Sequence, residues 1–295
     1  MKKTIFEGAC TAIVTPFHAD GSVNFDKLAE LIEFQIEGGI DAIVSCGTTG
    51  ESSTLSTEEH LEVVRFTIEK VAKRVPVIAN AGSNDVSFSI MMAKEFEKMG
   101  ADGILLVTPY YNKTSQKGLI ARYTAIANST TLHCVLYNVP SRTGMNILPE
   151  TYYELSKIPN IVATKEANGD ISSVLKTIAL CGDELAVYSG TDDQTMAIMA
   201  LGGKGVISVF SNVLPAVMHE LCDAMKNGDY AKARALTVKY SDLMFGFFMD
   251  VNPIPVKEAM NQMGFNCGPC RLPLVDMTDA NKEKMTQLLK KYELI

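Results

Sequence analysis

Eight short runs of apolar and β-branched residues recur along the chain, and a helical pattern follows each of them. The runs are residues 9–17, 42–46, 75–81, 104–111, 133–139, 161–167, 185–189 and 206–210. Parallel strands need long crossover connections, usually helices, and the strands of a sheet covered by those helices are almost continuously apolar. The alternation therefore predicts an α/β protein built on a parallel sheet.

Two architectures fit this alternation, a closed (β/α)₈ TIM barrel and an open doubly wound sheet. The number of repeats favours the barrel, and no Gly-x-Gly-x-x-Gly motif follows the first strand to indicate a dinucleotide site. Similar junctions at residues 39–43, 100–104 and 203–207 weakly indicate one repeated βα unit. Helices are predicted from about residue 26, after the capping-box pair Ser56 and Glu59, and over 86–99, 116–128 and 149–156. We predict the barrel.

After residue 210 the alternation stops and only helical patterns remain. They cover residues 216–225, 230–248, 255–263 and 278–292, with a loop rich in Gly, Pro and Cys at 264–275. No flexible linker separates these helices from the barrel. We predict a catalytic barrel over residues 1–222 and a C-terminal helical extension over residues 223–295.

Composition and charge narrow the functional classes. The formal net charge is −7 and no basic run is present, which argues against partners such as nucleic acid or an anionic membrane surface. No apolar run approaches the roughly 20 residues of a membrane span, and the N-terminus does not resemble a signal peptide. Seven cysteines without regular spacing do not suggest a secreted disulfide framework. A cytoplasmic location is expected.

A lysine, Lys165, lies near the end of the sixth predicted strand. Burial of a lysine disfavours its ammonium form, which is useful where a neutral amine must attack a carbonyl group. A lysine at this position could also pair with Glu166 or extend to solvent. The residues at the ends of the other strands favour the catalytic interpretation.

In a (β/α)₈ barrel, reactive groups lie at the carboxyl ends of the strands and in the loops that follow. These positions hold hydroxyls, phenols, one guanidinium and backbone groups: Thr48, Thr49, Tyr110, Tyr111, Tyr137, Arg142, Gly190 and Ile207. Taken singly, each of these residues could have a purely structural role in packing or in a turn. Together with Lys165 they form a coherent site for carbonyl chemistry on a carboxylated substrate. No His or Cys cluster has metal-ligand spacing, so no metal is expected.

Five ordered motifs carry a family resemblance. They are Gly47-Thr-Thr-Gly-Glu-Ser52, Thr108-Pro-Tyr-Tyr-Asn112, Tyr137-Asn-Val-Pro-Ser-Arg-Thr-Gly144, Lys165-Glu-Ala167 and Asn252-Pro-Ile-Pro-Val-Lys257. The set resembles the dihydrodipicolinate synthase family, within the pyruvate-dependent class I aldolases that include N-acetylneuraminate lyase. The resemblance extends over essentially the whole chain, to Arg271-Leu-Pro-Leu274.

The resemblance implies a lyase of lysine biosynthesis by the diaminopimelate route. Pyruvate would form a Schiff base with Lys165, without any other cofactor, and would then condense with L-aspartate 4-semialdehyde. By position, Tyr137, Thr48 and Tyr111 would relay protons, which phenols and hydroxyls can do without a histidine. The resemblance assigns pyruvate binding to Thr49 and Ile207, a pocket backbone position to Gly190, and the second substrate's carboxylate to Arg142.

The resemblance also implies an assembly and a regulatory question. Tyr111 is similar to a tyrosine that reaches into a neighbouring subunit's site, which implies a homodimer or a homotetramer. Positions matching a lysine feedback site are Ser52, Ser53, Thr57, His60, Asn84, Phe88 and Tyr110. Phe88 stands in place of a glutamate, and a buried ammonium needs a compensating charge. We therefore predict insensitivity to lysine.

Two alternatives remain. A lyase for sialic acid or a keto-deoxy sugar acid would need groups that bind hydroxyls where Arg142 stands. A thiol oxidoreductase is suggested by Cys267-Gly-Pro-Cys270, a Cys-x-x-Cys motif. Such a redox pair should open a helix, and Pro273 opposes one here.

Overall fold

Eight parallel strands form the centre of the molecule. The computed structural model describes residues 2–295, and its strands are β1 Gly8–Ala12, β2 Ala42–Ser45, β3 Val77–Asn80, β4 Gly103–Val107, β5 His133–Asn138, β6 Ile161–Glu166, β7 Ala186–Ser189 and β8 Gly205–Ser208. Each strand pairs with the next, and β8 pairs with β1, so the sheet closes into a barrel. The predicted (β/α)₈ barrel is confirmed, and the open sheet is excluded.

Helices surround the barrel and continue beyond it. They are α1 Phe25–Glu37, α2 Thr57–Val71, α3 Val86–Met99, α4 Gln116–Ala127, α5 Pro140–Thr143, α6 Pro149–Ser156, α7 Ile171–Cys181, α8 Thr195–Ala200, α9 Pro215–Lys226, α10 Tyr230–Gly246, α11 Ile254–Gln262 and α12 Asp279–Lys291. The predicted capping box at α2 is present: the Ser56 side chain accepts from the backbone N–H of Glu59, whose carboxylate accepts from the Ser56 N–H. Among residues 2–295, no helix has the length and apolar character needed to cross a membrane.

Several predicted strands extend too far at their carboxyl ends. The first was predicted to residue 17 but ends at Ala12, and the fourth was predicted to residue 111 but ends at Val107. Pro16 and Pro109 cannot donate a ladder hydrogen bond, and the chain leaves the sheet before each of them. The short helix α5 was not predicted; it begins at a proline and ends at Gly144, whose φ is 67°.

The barrel interior is a packed core. Inward-facing residues of the strands, among them Cys10, Ile78, Val135 and Ile207, form one buried apolar cluster. At the amino-terminal end, the ring of Phe6 stacks on Tyr188 with centroids 4.2 Å apart, and the Tyr188 hydroxyl donates to the Phe6 carbonyl. This packing fills the lower barrel, so the strand ends predicted to carry the site lie at the opposite mouth.

The C-terminal helices pack on the barrel and on one another. Helix α9 packs against β1, α10 packs against α9, and α12 packs against α10 and α11. The predicted boundary after residue 222 falls inside α9, which continues to Lys226. The division into a catalytic barrel and a helical extension stays a proposal.

Candidate active site

Lys165 and Tyr137 are neighbours on adjacent strands. The β5–β6 register places them opposite each other, and both side chains are almost completely buried, with 6% and 7% exposure. The Lys165 Nζ atom lies 4.5 Å from the centroid of the Tyr137 ring. The strand alternation that turns these two side chains inward turns Asn138 and Glu166 outward.

A cavity of about 360 Å³ opens above this pair. Its lining includes six of the predicted site residues: Thr48, Thr49, Tyr137, Arg142, Lys165 and Gly190. These six come from the exits of β2, β5, β6 and β7, as expected for the carboxyl-terminal mouth of a barrel. Gly190 leaves no room for a side chain, since a Cβ atom there would lie 2.8 Å from the Cβ of Ala167.

Three other strand-end residues named from the sequence, Tyr110, Tyr111 and Ile207, do not line this cavity. Ile207 is completely buried in the barrel core, paired with Cys10, and Val209 two residues later lines the cavity instead. Tyr111 is 93% exposed and has a left-handed backbone with φ of 68°. Within one chain, the structure therefore does not bring Tyr111 to Tyr137 and Thr48.

Residues of the C-terminal extension line the cavity, and sequence reasoning assigned them no role. Phe248, Asp250, Val251 and Asn252 form this wall. The Asn252 Nδ2 atom donates to the Thr49 hydroxyl at 3.1 Å, and Arg142 Nη2 donates to the Asn252 carbonyl at 3.1 Å. The Asn252-Pro-Ile-Pro-Val-Lys257 motif was a visible signal, but no local pattern shows which strand end it contacts.

A buried polar network lies behind the two central strands. The Glu166 carboxylate accepts hydrogen bonds from Asn138 Nδ2 at 2.9 Å and from the Tyr152 hydroxyl at 2.9 Å. It also accepts from the backbone N–H of Asn168 at 3.0 Å. Burial raises the pKa of Glu166 to about 7, although these hydrogen bonds oppose the shift. The network links the ends of β5 and β6 directly behind Tyr137 and Lys165.

A buried carboxylate also supports the exit of β8. Asp192 is 2% exposed, and its Oδ2 atom accepts from the backbone N–H groups of Val209 at 3.2 Å and Phe210 at 3.0 Å. Burial raises the pKa of Asp192, while the positive charge of Lys165 is one of the factors that lower it. Asp192 therefore fixes the backbone around Val209, which lines the cavity.

A second cavity, of about 550 Å³, adjoins the first and shares Thr48, Tyr137, Val139 and Arg142 with it. Its lining contains most of the positions predicted for a lysine site: Ser52, Ser53, Thr57, His60, Phe88 and Tyr110. Asn84 is not in the lining, but its side chain donates to the Tyr110 carbonyl at 3.3 Å. Burial lowers the pKa of His60 to about 4, so this imidazole is neutral at ordinary pH.

The Cys267 and Cys270 thiols do not have the environment of a redox pair. They lie in the irregular segment between α11 and α12, not at a helix start. Burial raises the pKa of each thiol to about 12, whereas redox-active cysteines have lowered values. The thiol oxidoreductase hypothesis is therefore not supported. Among residues 2–295, no group of three or more His, Cys, Asp or Glu side chains is placed to hold a metal ion.

A closed barrel with a buried lysine beside a tyrosine at its carboxyl-terminal mouth defines a class, the (β/α)₈ enzymes with an aldolase-type site. A sequence model of the dihydrodipicolinate synthetase family matches residues 5–292. The chain belongs to this family.

Individual relatives agree with this assignment. The 4-hydroxy-tetrahydrodipicolinate synthase of Acetivibrio thermocellus is 53% identical over 295 residues, which cover all of both chains. The enzyme of the same name from Thermoanaerobacter sp. (strain X514) is 52% identical over 99% of this chain and 98% of its own. Among solved structures, the chloride-inhibited dihydrodipicolinate synthase from Acinetobacter baumannii complexed with pyruvate has a TM-score of 0.97 and 42% identity, covering 99% of this chain and 100% of that one.

Proposed function

We propose that this protein catalyses the reaction of a 4-hydroxy-tetrahydrodipicolinate synthase, the condensation of pyruvate with L-aspartate 4-semialdehyde on the diaminopimelate route to lysine. Full-length relatives of that name at about half identity support the reaction, and a related structure of this fold was determined with pyruvate. The observation that carries the proposal is the position of Lys165, buried at the mouth of the barrel beside Tyr137.

Lys165 is the proposed nucleophile, and no separate cofactor is required. Its neutral amine adds to the C2 carbonyl of pyruvate, and a proton delivered to the carbinolamine hydroxyl lets that group leave as water, which gives a protonated imine. Loss of a C3 proton gives an enamine, whose C3 attacks the aldehyde carbon of the second substrate, while the aldehyde oxygen takes up a proton and becomes a hydroxyl group. The amine of the adduct then displaces Lys165 from C2, which closes the ring and frees the enzyme.

Tyr137 is the proposed proton donor and acceptor for these steps. Its ring lies against the Lys165 ammonium position, and both Tyr137 and Thr48 line the cavity. A phenol has an ordinary pKa near 10, close to that of an amine, so it suits proton exchange with a carbinolamine. Tyr111 completes the proposed relay only if it reaches the site of another chain, which its 93% exposure allows. We accordingly propose a homodimer or homotetramer.

The two substrates have separate proposed contacts. Thr49 and Gly190 line the cavity and hold pyruvate, with Thr49 itself oriented by Asn252. The backbone of Ile207, predicted to share this role, lies outside the cavity lining. Arg142 faces both cavities, and its guanidinium binds the carboxylate of the semialdehyde. A sialic acid or sugar-acid lyase would need hydroxyl-binding groups at this position, so Arg142 favours the synthase.

Reduction with borohydride tests the proposed intermediate. Parent enzyme incubated with pyruvate and borohydride should gain one reduced pyruvyl group, and peptide mapping should place it on Lys165. Lys165→Ala should fold and remain unlabelled, whereas Lys176→Ala, which removes an exposed lysine of α7, should be labelled like the parent. An adduct on any other lysine would show that the assignment is wrong. Efficient cleavage of N-acetylneuraminate by the parent would instead support the alternative lyase.

A further inference from the structure

Two oppositely charged residues are buried together outside the proposed catalytic set. Lys257 Nζ lies 2.8 Å from Glu51 Oε1, and the two side chains are only 2% and 1% exposed. Glu51 follows the Thr48–Thr49 loop, whereas Lys257 belongs to α11 of the C-terminal extension. Burying two charges is costly unless they are paired and fully hydrogen-bonded.

This ion pair meets that condition. Lys257 Nζ also donates to the carbonyls of Thr15 at 3.1 Å and Pro269 at 2.7 Å, so its three protons have three acceptors. The second Glu51 oxygen accepts from the backbone N–H of Arg271 at 2.9 Å. The pair therefore joins the segment after β1, the loop after β2, α11 and the segment after α11.

The backbone of the loop between these contacts is strained. Cys46 and Glu51, on either side of the loop, have φ values of 54° and 55°, a left-handed conformation that residues with side chains rarely adopt. Such conformations persist where the surroundings hold them, and they are concentrated at functional sites. The ion pair is a strong contact that holds Glu51 in this conformation.

The strained residue is linked to the reactive hydroxyls. The Glu51 N–H donates to the Thr48 carbonyl at 3.1 Å, and the Thr15 hydroxyl donates to the Gly50 carbonyl at 2.7 Å. Asn252, at the other end of the segment that carries Lys257, donates to the Thr49 hydroxyl. Neither Glu51 nor Lys257 lines the active-site cavity. Any effect of the two residues on the site is therefore indirect, through the Thr48–Thr49 loop and through the segment from Asn252 to Lys257.

We propose that Glu51 and Lys257 are positioning residues, which hold the Thr48–Thr49 loop in the geometry that imine formation with pyruvate requires. The proposal rests on the proposed function, because its measurements use pyruvate. It also gives the C-terminal extension a defined part in the first half of the reaction. The second half depends on Arg142, which is carried by α5 and touches the Asn252 carbonyl but neither residue of the ion pair, so the pair acts on it less directly than on the Thr48–Thr49 loop.

Single variants alone would not separate positioning from folding, since each leaves one buried charge without its partner. The main test is the double variant Glu51→Gln/Lys257→Met, which removes both charges and nearly keeps both shapes. A second variant, Glu51→Asp, keeps the negative charge but shortens the side chain that holds the loop. Lys232→Met is the matched control, because it breaks an equally short ion pair, with Glu220, that is about half exposed.

The measurements are folding by circular dichroism, the rate of borohydride trapping with pyruvate, and kcat and KM for each substrate. In the folded double variant, we expect trapping and kcat/KM for pyruvate to fall by about tenfold to a hundredfold, since small misplacements of reacting groups have effects of this size. The KM for the semialdehyde should change much less. Glu51→Asp should show the same asymmetry, and Lys232→Met should match the parent.

The proposal is overturned if either folded variant, the double or Glu51→Asp, traps pyruvate and turns over at the parent rate. Equal losses for both substrates would also contradict it, because a general loss of structure has that effect. If the double variant does not fold, Glu51→Asp decides alone. A parent enzyme that traps no pyruvate would instead refute the proposed function, so the two failures are distinguishable.

Discussion

Two buried lysines in this chain show how surroundings decide the role of one residue type. Lys257 is paired with Glu51 and donates hydrogen bonds to two backbone carbonyls, so its role is structural. Lys165 has no salt-bridge partner among residues 2–295 and lies over the ring of Tyr137 at an open cavity. An amine in that position can attack a carbonyl group without breaking an ion pair.

At the same scale, Arg142 should discriminate between the two substrates. Arg142→Ala should reduce kcat/KM for L-aspartate 4-semialdehyde by roughly a hundredfold, because a bidentate charge-assisted contact to a carboxylate is lost. Borohydride trapping of pyruvate should stay near the parent rate. Arg142→Lys should be intermediate, since it keeps the charge but not the planar fork. Steady-state kinetics, with each substrate varied in turn, measure these changes in kcat/KM. Arg234→Ala, which removes an exposed arginine, is the control. Equal losses of kcat/KM for both substrates would show that Arg142 does not act selectively on the semialdehyde.

At the scale of elements, the strands β5 and β6 form one functional unit. Their register places Tyr137 opposite Lys165 on the inner face and Asn138 opposite Glu166 on the outer face. The outer pair is hydrogen-bonded and is joined by Tyr152 of α6, which accepts a hydrogen bond from Thr164. The polar network on the outer face thus fixes the spacing of the reactive pair on the inner face.

This unit should make the stability of the protein depend on pH. The pKa of Glu166 is raised from 4.5 to about 7 in the folded state, so the folded protein binds more protons than the unfolded chain between these values. The contribution to the free energy of unfolding is complete below pH 4.5 and is lost as the pH rises to 7, a change of about 3 kcal/mol.

Urea unfolding at several pH values tests this dependence. Glu166→Gln should remove the contribution of Glu166 to the pH dependence of the free energy of unfolding. The parent should therefore lose more stability than the variant between pH 4.5 and pH 7. Tyr152→Phe removes a hydrogen bond that lowers this pKa, and should extend the loss to higher pH. Parallel curves for the parent and Glu166→Gln would disprove the assignment.

Much of this fold could be predicted because its signals are local. Helix α3 has the predicted bounds, set by the Asp85 cap and Gly100, and α2 begins at the predicted capping box. The ends of β1 and β4 were not predicted, because an apolar run continues past the last strand residue through Pro16 and Pro109. The site residues on strand ends could be proposed for the same local reason. Asn252 could not be placed, because its contact with Thr49 joins residues far apart in sequence.

At the scale of the whole molecule, the extension and the barrel form the site together. Phe248, Asp250 and Asn252 line the same cavity as Lys165, and Lys257 anchors their segment beneath the β2 loop. A second link is the Arg271 guanidinium, which bonds to Glu59 of α2 and to the carbonyls of Gly21 and Thr54. The C-terminal chain therefore spans the barrel mouth, and the site is incomplete without it.

The two adjoining cavities bear on whether bound lysine could inhibit the enzyme. A ligand in the larger cavity would touch Thr48, Tyr137 and Arg142, which also line the proposed active-site cavity. An amino acid bound there needs a compensating negative charge for its ammonium group. Phe88 supplies none, and His60 is neutral. The Asp85 carboxylate lines the cavity but already caps α3, and the buried Arg122 guanidinium donates to the nearby Ser83 carbonyl, so it adds positive charge.

We therefore expect activity to be insensitive to physiological L-lysine. Phe88→Glu should create sensitivity, lowering the lysine concentration for half-inhibition by about tenfold to a hundredfold, because a charge-assisted hydrogen bond contributes roughly 1.5–3 kcal/mol. Phe88→Gln is the matched control: it has the same shape as the glutamate variant but no charge, and should remain close to the parent. Activity is titrated against L-lysine at sub-saturating pyruvate. Half-inhibition of the parent at sub-millimolar lysine would show that Phe88 does not disable the site, and equal responses of the two variants would show that charge is not the reason.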